Sequence, residues 1–242
     1  ALSWAGTSTR RHIATLLCDA DERRMDPVNP TIARPEVSFP KCFPDAIRTM
    51  NYRTAFEQYG DAFDAVLCGS VDHHHFGIAK LALEHGKPIY CEKPICWSPH
   101  EGYLLREAAA KAKVPTQMGN QGFSGDNYFQ FKAWKEAGII KNVRHIDAHI
   151  NLGRSWIRHH ADPHHAVDEL PRGETKPLQL DWDGWLAATP NRPYSSYYHR
   201  YNWRGWFQYG TGAFGDWGAH IFDSIHHFLQ LGMPESIEVK KC

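Results

Sequence analysis

The chain has 242 residues, and its 27 basic and 27 acidic side chains give a formal net charge of zero at pH 7. This balance argues against a nucleic-acid groove or an anionic membrane surface as the partner and favours a small neutral or weakly charged ligand. No apolar run reaches the ~18 residues that cross a bilayer, and the N-terminus lacks the layout of a signal peptide, so we expect a soluble protein.

The first part of the chain alternates predicted strands and helices. An apolar run at 13–18 predicts a buried strand, and the Pro-rich stretch 26–45 predicts a surface loop. Asn51 is placed to cap a helix that ends near Tyr59, and the apolar run 64–70 predicts a second strand.

The same pattern repeats further along. Apolar spacing predicts a helix over 75–85, and a strand follows at 88–91. The capping-box sequence at 98–101 begins a helix that ends near Ala112, and residues 114–118 are strand-like. Alternating strands and helices with short connections predict an α/β fold with a parallel sheet.

Polar residues or glycines follow four successive predicted strands. Because the carboxyl ends of parallel strands form the ligand crevice, these residues predict one binding site. Lys93 is the most informative of them, since Pro94 favours an extended backbone before it and prevents a helix. On these residues alone, Lys93 is either a lysine positioned for catalysis or a solvated residue at a strand end. The four segments are Asp19, Asp72 to His75, Glu92 to Pro94, and Gly119 to Gly122.

The second half of the chain has fewer periodic segments. A helix is predicted at about 126–137, and the alternating run 143–152 is interpreted as the first strand of a second, partly exposed sheet. Residues 153–210 predict long ordered loops around a site, followed by a helix at about 212–231. The aromatic side chains at 182–209 suit either a core or a sugar-binding surface.

The last predicted helix carries titratable residues at helical spacing. Asp216, His220 and Asp223 project from one face of it. A carboxylate one turn from an imidazole can orient the ring and raise its pKa, which suits a general acid or base. A core histidine satisfied by its neighbour is the alternative. Three glycines that each lower helix propensity by about 1 kcal/mol predict a close approach to this helix. They are Gly212, Gly215 and Gly218.

Neither the cysteines nor the histidines have the spacing of a dedicated metal site, so we predict none. Cysteines without paired spacing predict buried reduced thiols and a cytoplasmic protein, although an exported protein can also carry them. His73 and His75 would point to opposite sides of an extended segment, and adjacent histidines rarely bind one ion. The cysteines are Cys18, Cys42, Cys68, Cys91, Cys96 and Cys242, and the adjacent histidines are at 159–160, 164–165 and 226–227.

Taken together, these motifs resemble the Gfo/Idh/MocA family of NAD(P)-dependent oxidoreductases. Three match in order and spacing, namely Asp72-His73-His74-His75 after one strand, Glu92-Lys93-Pro94 after the next, and Asp216-x-Gly-x-His220-x-x-Asp223 on the helix. The segments 118–122 and 180–206 resemble a large bacterial subgroup of that family. The resemblance spans nearly the whole chain.

The resemblance implies two partial domains. Residues 1–122 would form an incomplete Rossmann-like parallel-sheet domain, and residues 123–242 part of an α/β substrate domain with an open sheet. The family's first strand and its G-x-G-x-x-G turn have no counterpart at residues 1–12. Most of the open sheet, which commonly forms a homo-oligomer interface in the family, would be missing after the last helix.

The resemblance also implies residue roles. Lys93 would lie beside the nicotinamide and polarise the reacting hydroxyl or relay its proton, with His220 as acid or base and Asp216 as its partner. Asp19 would bind the adenosine ribose hydroxyls and favour NAD over NADP. The other implied dinucleotide contacts are Ser70, Asp72, His75, Glu92, Lys93, Asn120 and Gln121, and the implied substrate contacts are Lys93, Trp203, Arg204, Asp216 and His220.

The implied reaction is hydride transfer between NAD and a hydroxyl-bearing carbon of a sugar, a sugar derivative or a cyclitol. Two alternatives stay open. The absent glycine turn favours a catalytically impaired fragment with only a binding or structural role. An NAD-dependent glycosidase of the same family would oxidise its sugar, cleave the glycosidic bond by elimination and reduce the sugar again.

Overall fold

The computed structural model describes residues 13–26, 28, 39–149, 171–199 and 202–238. Within these ranges the chain forms short strands and α-helices joined by turns and 3₁₀ segments. The strands are β1 (Leu16–Cys18), β2 (Ile47–Thr49), β3 (Val66–Cys68), β4 (Ile89–Glu92) and β5 (Thr116–Gly119). The helices are α1 (Phe39–Cys42), α2 (Tyr52–Tyr59), α3 (Asp72–Glu84), α4 (Pro99–Ala112), α5 (Asp126–Glu136), α6 (Trp182–Leu186) and α7 (Gly212–Leu229).

Every strand pair is parallel, which confirms the predicted α/β class. β1 pairs with β2, and β4 lies between β3 and β5 in a separate sheet. In that sheet Cys68 is opposite Cys91, and Glu92 is opposite Gly119. Among the described residues no strand lies between β1 and β3 to join the two sheets. In a doubly wound sheet this central position is occupied by the strand that precedes the glycine-rich turn.

Local sequence signals correctly predict where two helices begin. The side chain of Asn51 accepts a hydrogen bond from the backbone N–H of Arg53 and caps α2. Ser98 and Glu101 form a reciprocal capping box at the start of α4. These hydrogen bonds join residues two or three apart, so the sequence alone carries the signal.

Helix α3 begins at Asp72, earlier than the predicted start at residue 75. Val71 precedes it and makes no side-chain capping bond, so the usual start signal is absent. The histidines at 73–75 therefore lie in the first turn of a helix, and the expectation that His73 and His75 point to opposite sides of an extended segment is wrong.

The predicted strand at 143–152 is wrong where the structure describes it, because residues 143–149 have no regular secondary structure. A strand needs a neighbour for its ladder hydrogen bonds, and the described part of the chain offers this segment none. Residues 150–152 lie outside the described ranges, as do residues 153–170, 200 and 201 of the loops predicted at 153–210. The predicted surface loop 26–45 contains helix α1, and its residues 27 and 29–38 also lie outside.

Two buried clusters form the cores of the described structure. The first packs α2, α3 and α4 against the three-stranded sheet, with Phe56, Leu83 and Ile89 among its members. The second is aromatic and contains Leu180, Trp182, Trp185, Leu186, Tyr198, Trp203 and Tyr209. These aromatic side chains fill a core, so the core interpretation of the 182–209 segment is the correct one for them. No described helix is long and apolar enough to cross a bilayer.

Candidate active site

Lys93 and Asp216 lie 123 positions apart in the sequence, and the fold brings them into contact. The Lys93 Nζ atom is 2.5 Å from Asp216 Oδ1, and it also donates a hydrogen bond to the backbone carbonyl of Asp216. Lys93 follows strand β4, and Asp216 lies in the second turn of α7. Each side chain is only 12% exposed, so the pair is largely shielded from water. The end of β4 is thereby joined to helix α7.

Arg204 adds a second positive charge beside Asp216. Its Nε atom lies 3.5 Å from Asp216 Oδ2, and its guanidinium carbon lies 4.1 Å from the centre of the Trp203 ring. Trp203 is 3% exposed and belongs to the aromatic core. This burial contradicts the expected substrate contact for Trp203, whose ring supports Arg204 instead.

His220 faces Asn120 rather than Asp216. Its Nδ1 atom lies 3.1 Å from Asn120 Oδ1, and Asn120 Nδ2 donates to Asp223 Oδ2 at 2.6 Å. The expected Asp216–His220 partnership is not a hydrogen bond in the described structure, because Asp216 is engaged by Lys93. Asp216, His220 and Asp223 do share one face of α7, as their spacing predicts. Asn120 was expected near the nicotinamide, and its pairing with His220 could not be read from the sequence.

The pKa of His220 is lowered from its usual value. Burial of the ring is the main cause, and the nearby Lys93 ammonium is the second. Asp216, Glu92 and Asp223 act in the opposite direction without reversing the shift. The expectation that the helix carboxylates raise this pKa is therefore wrong in its net sign, and the imidazole is neutral at pH 7.

The atoms nearest to Gly215 and Gly218 belong to α7 itself or to the residue before it, not to a distant segment. A Cβ atom at Gly215 would lie 2.4 Å from Thr211 Cβ, which is one turn earlier in the same chain. At Gly218 the atoms nearest to an added Cβ would be those of Phe214 and Phe222, at ordinary contact distance. The predicted close approach is thus limited to Thr211.

Asp19 fits the acceptor expected for a ribose diol. It follows β1, and its Oδ1 atom accepts a hydrogen bond from the backbone N–H of Asp21 at 2.9 Å. Its Oδ2 atom has no hydrogen bond to any described residue. Burial raises the pKa of this carboxyl to about 6. A half-buried carboxylate with an unused acceptor matches the two hydroxyl donors of a ribose.

Three further residues line the surface at the strand ends. Ser70 follows β3 and is exposed. Glu92 ends β4, and its Oε2 atom accepts a hydrogen bond from Gln121 Nε2 at 2.6 Å. Together with Asn120 they lie at the carboxyl ends of neighbouring parallel strands, where a dinucleotide is bound in such sheets.

Asp72 and His75 lie beneath this surface, which corrects their expected contact with the dinucleotide. Asp72 is 4% exposed and accepts hydrogen bonds from the backbone N–H and the hydroxyl of Thr211, the residue before α7. His75 is 1% exposed, and its Nδ1 and Nε2 atoms face the carbonyl oxygens of Pro94 and Ser70 at 2.6 and 3.1 Å. Both side chains position the Lys93 segment and helix α7.

Cys68, His75 and Cys91 form a buried cluster that the sequence analysis did not find. Their possible ligand atoms all lie within 4.8 Å of one another. The cysteines are 23 residues apart in sequence and meet because they are paired across β3 and β4. The neighbouring Cys91 thiol, helped by His75, lowers the pKa of Cys68, and the pKa of Cys91 is raised in turn. Because both His75 nitrogens face carbonyl oxygens, the ring directs no lone pair at the sulfur atoms.

Two further histidines, His73 and His74, bind the backbone of a neighbouring helix. The Nε2 atoms of His73 and His74 lie 2.8 and 2.6 Å from the Trp185 carbonyl oxygen and attach α3 to α6. Burial lowers the pKa of His73 to about 4 and that of His74 to about 3. All the described cysteines are free, and Cys68 and Cys91 are buried as predicted, whereas Cys42 and Cys96 are half-buried and Cys18 is exposed, which contradicts their predicted burial. Cys242 and the histidines at 159–160 and 164–165 lie outside the described residues.

Comparison with known families gives two matches along the chain. Residues 6–120 match the Gfo/Idh/MocA model described as the NAD-binding Rossmann fold of an oxidoreductase family. Residues 164–241 match the model described as the C-terminal alpha/beta domain of that oxidoreductase family.

Curated relatives match shorter stretches. An uncharacterized oxidoreductase, YfiI, of Bacillus subtilis is 31% identical over 117 residues, which are 47% of this chain and 28% of the relative. Inositol 2-dehydrogenase 1 of Saccharopolyspora erythraea is 34% identical over 83 residues, which are 34% of this chain and 25% of the relative. The chain thus covers less than a third of the length of either relative.

Solved structures give similarly partial matches. An inositol dehydrogenase homolog from Azotobacter vinelandii, complexed with NADH and myo-inositol, is 26% identical, with 52% of this chain and 31% of that chain covered and a TM-score of 0.38. An oxidoreductase from Agrobacterium radiobacter in complex with NAD+, L-tartaric acid and magnesium is 20% identical, with 51% of this chain and 32% of that chain covered and a TM-score of 0.42.

Proposed function

The chain belongs to the Gfo/Idh/MocA oxidoreductase family, whose Rossmann domain binds NAD, and on that premise we propose that it oxidises or forms a hydroxyl-bearing carbon of a sugar or cyclitol-like substrate. The observation that carries the proposal is the contact of Lys93 with Asp216 at the carboxyl end of β4, with His220 one turn further along α7 and near enough for the Lys93 ammonium to lower its pKa. An ammonium group, its carboxylate partner and a neutral imidazole are the groups that an alcohol oxidation needs for its proton.

The proton chemistry follows from the states of these side chains. In the direction of alcohol oxidation, NAD supplies the hydride acceptor when bound. The neutral His220 imidazole accepts the hydroxyl proton, and its lowered pKa keeps it in the accepting form at pH 7. The Lys93 ammonium donates a hydrogen bond to the substrate oxygen and stabilises the negative charge that develops there. In the reverse direction His220 returns the proton to the oxygen.

Asp216 and Arg204 hold Lys93 in place for this role. Asp216 accepts from the Lys93 ammonium at 2.5 Å, which limits the rotamers of the long side chain. The Arg204 guanidinium lies on the other carboxylate oxygen and balances the charge of the group. The three side chains would therefore present the ammonium in one orientation, as a proton-transfer site requires.

The cofactor would be held along the strand ends. The Asp19 carboxylate would accept hydrogen bonds from the adenosine ribose hydroxyls, and its negative charge would repel the additional phosphate of NADP. Ser70, Glu92 and Gln121 would line the path from Asp19 to Lys93. We therefore propose NAD rather than NADP as the cofactor.

Binding of NADH, followed by the fluorescence of the nicotinamide, tests the cofactor half of this proposal. We expect saturable binding, and the absence of binding at millimolar NADH would contradict the oxidoreductase function. A panel of cyclitols and free sugars with NAD+, followed by the absorbance of the reduced nicotinamide, tests the substrate half. Aryl glycosides in the same panel identify a glycosidase, since aryl alcohol would then appear without net formation of NADH.

A further inference from the structure

The amide of Asn120 lies between His220 and two hydrogen-bond acceptors. Its Nδ2 atom is 3.2 Å from the carbonyl oxygen of Ala219 and 2.6 Å from Asp223 Oδ2. Its Oδ1 atom is 3.1 Å from His220 Nδ1. Asn120 directly follows β5, whereas the other three residues lie on α7. The amide thus connects a strand end of the Rossmann domain to the helix that carries the histidine.

The two acceptors determine which way this amide is turned. A backbone carbonyl oxygen only accepts hydrogen bonds, and so does an ionised carboxylate. A flipped amide would place its oxygen against both of these oxygens and would leave its NH₂ group facing His220. Because Ala219 contributes a backbone carbonyl, the preference holds even where Asp223 is protonated. The oxygen of the Asn120 amide therefore faces His220.

This orientation decides which imidazole nitrogen carries the proton. An amide oxygen accepts hydrogen bonds and cannot donate, so the Nδ1 atom that faces it must be the protonated nitrogen. The Nε2 atom of His220 has no hydrogen bond to any described residue. A free neutral histidine side chain prefers the opposite tautomer, with the proton on Nε2, so the protein must impose this one.

We propose that Asn120 is a positioning residue that holds neutral His220 in the Nδ1–H tautomer and leaves Nε2 as its proton-accepting atom, with Asp223 and the Ala219 carbonyl fixing the Asn120 amide. The use of Nε2 in catalysis rests on the proposed function, because only there does a substrate hydroxyl meet the ring. The tautomer itself is a property of the free protein and does not depend on any activity.

Nitrogen NMR of the whole chain labelled with ¹⁵N-histidine tests the tautomer without cofactor or substrate. Long-range proton–nitrogen correlations distinguish the two neutral tautomers, and a His220→Gln variant assigns the His220 signals. At neutral pH we expect the Nδ1–H pattern for His220. The Nε2–H pattern for His220 in the unmodified protein would overturn the proposal.

Variants test whether Asn120 imposes the Nδ1–H tautomer on His220. Asn120→Leu removes both the acceptor and the donor and should return His220 to the Nε2–H pattern. Asp223→Asn keeps an oxygen that can accept from Asn120, so it should retain the Nδ1–H pattern. Gln117→Leu is the matched control, since Gln117 is an exposed amide on β5 that bonds only to the Met118 carbonyl among the described residues. A Nδ1–H pattern that persists in folded Asn120→Leu would contradict the proposal.

Kinetics separate this inference from the proposed function. If the enzyme turns over, Asn120→Leu should lower kcat by up to ~100-fold through loss of a correctly protonated base, with a smaller change in KM for the substrate. If the unmodified protein shows the Nδ1–H pattern but no hydride transfer with any substrate, the tautomer assignment stands and the proposed function fails. If it turns over with an Nε2–H pattern, the assignment fails and the function stands.

Discussion

The ammonium group of Lys93 lies 2.5 Å from the Oδ1 atom of Asp216, and this contact joins a strand end of the Rossmann domain to helix α7. Lys93 is held in an orientation that an isolated surface lysine would not keep. A second contact between the NAD-binding part of the chain and this helix is the one between Asn120 and His220.

Lys93→Ala should lower kcat by at least ~100-fold, because it removes the group that stabilises charge on the substrate oxygen. The affinity for NADH should change far less, because the substitution affects the chemical step rather than cofactor binding. Steady-state kinetics and NADH titration of the variant measure both effects. Lys111→Ala, an exposed lysine on α4, is the matched control and should keep the rate of the unmodified enzyme. An unchanged rate in Lys93→Ala would remove Lys93 from the mechanism.

Asp216→Asn should destabilise the fold by about 3 kcal/mol, because it leaves a largely buried ammonium without its counter-charge. Urea unfolding measures the free energy. The double variant Lys93→Met with Asp216→Asn should lose less than the sum of the two single changes, since no unpaired charge remains. The exposed Lys80–Glu84 pair is the control, and Glu84→Gln should cost at most about 1 kcal/mol. Strict additivity of the double variant would show that the two side chains do not interact.

His74 should make the protein less stable at mildly acidic pH. Burial lowers its pKa to about 3 in the folded state, whereas the unfolded chain has the usual value of about 6.5. The unfolded state therefore binds more protons between these values, and the free energy of unfolding falls as the pH drops through this window. Asp19, whose pKa is raised to about 6, acts in the opposite direction at acidic pH, so a variant comparison is needed.

The His74→Gln variant isolates this effect. We compare the free energy of unfolding, measured in urea at several pH values, for the variant and the unmodified protein. As the pH drops, this free energy should fall less steeply in the variant, and the two slopes should differ by up to ~1.4 kcal/mol per pH unit. His100→Gln replaces an exposed histidine on α4 and should leave the slope unchanged. Equal slopes for His74→Gln and the unmodified protein would mean that His74 is not kept neutral by burial.

Asp19→Ala should weaken NADH binding by about 10-fold or more, in line with the loss of hydrogen bonds to a charged acceptor. The unmodified protein should also bind NADH less tightly as the pH falls through about 6, because the carboxyl then becomes protonated. Fluorescence titrations across this pH range measure both effects. Asp61→Ala changes an exposed carboxylate elsewhere and serves as the control. A pH-independent affinity would contradict a role for the Asp19 carboxylate.

The sequence predicts those features whose signals are local. The caps of Asn51 and Ser98 join near neighbours in the chain, so the starts of α2 and α4 are readable from the residues. Helix α3 lacks such a cap at Val71, and its start is missed for that reason. The alternation at 143–149 looks like a strand, yet a strand forms only where a partner supplies hydrogen bonds, and that information is not local.

The candidate site follows the same division. The spacing of Asp216, His220 and Asp223 predicts a shared helix face, and the structure has one. Which partner each side chain meets depends on contacts about a hundred positions apart, such as that of Asn120 with His220. Burial of His75 likewise depends on the packing of α3 against the sheet, so its position beneath the surface could not be predicted from its place after a strand.

Transfer of deuterium from a substrate carbon to the nicotinamide tests the central claim most directly. Cyclitols and sugars that carry deuterium on their hydroxyl-bearing carbons would be incubated with NAD+ and the protein, and the reduced nicotinamide analysed by mass spectrometry. The account predicts deuterium in the nicotinamide with the unmodified protein and with Lys111→Ala, and a strong loss with Lys93→Ala. Saturable NADH binding without deuterium transfer from any member of the panel, or equal transfer by Lys93→Ala, would contradict it.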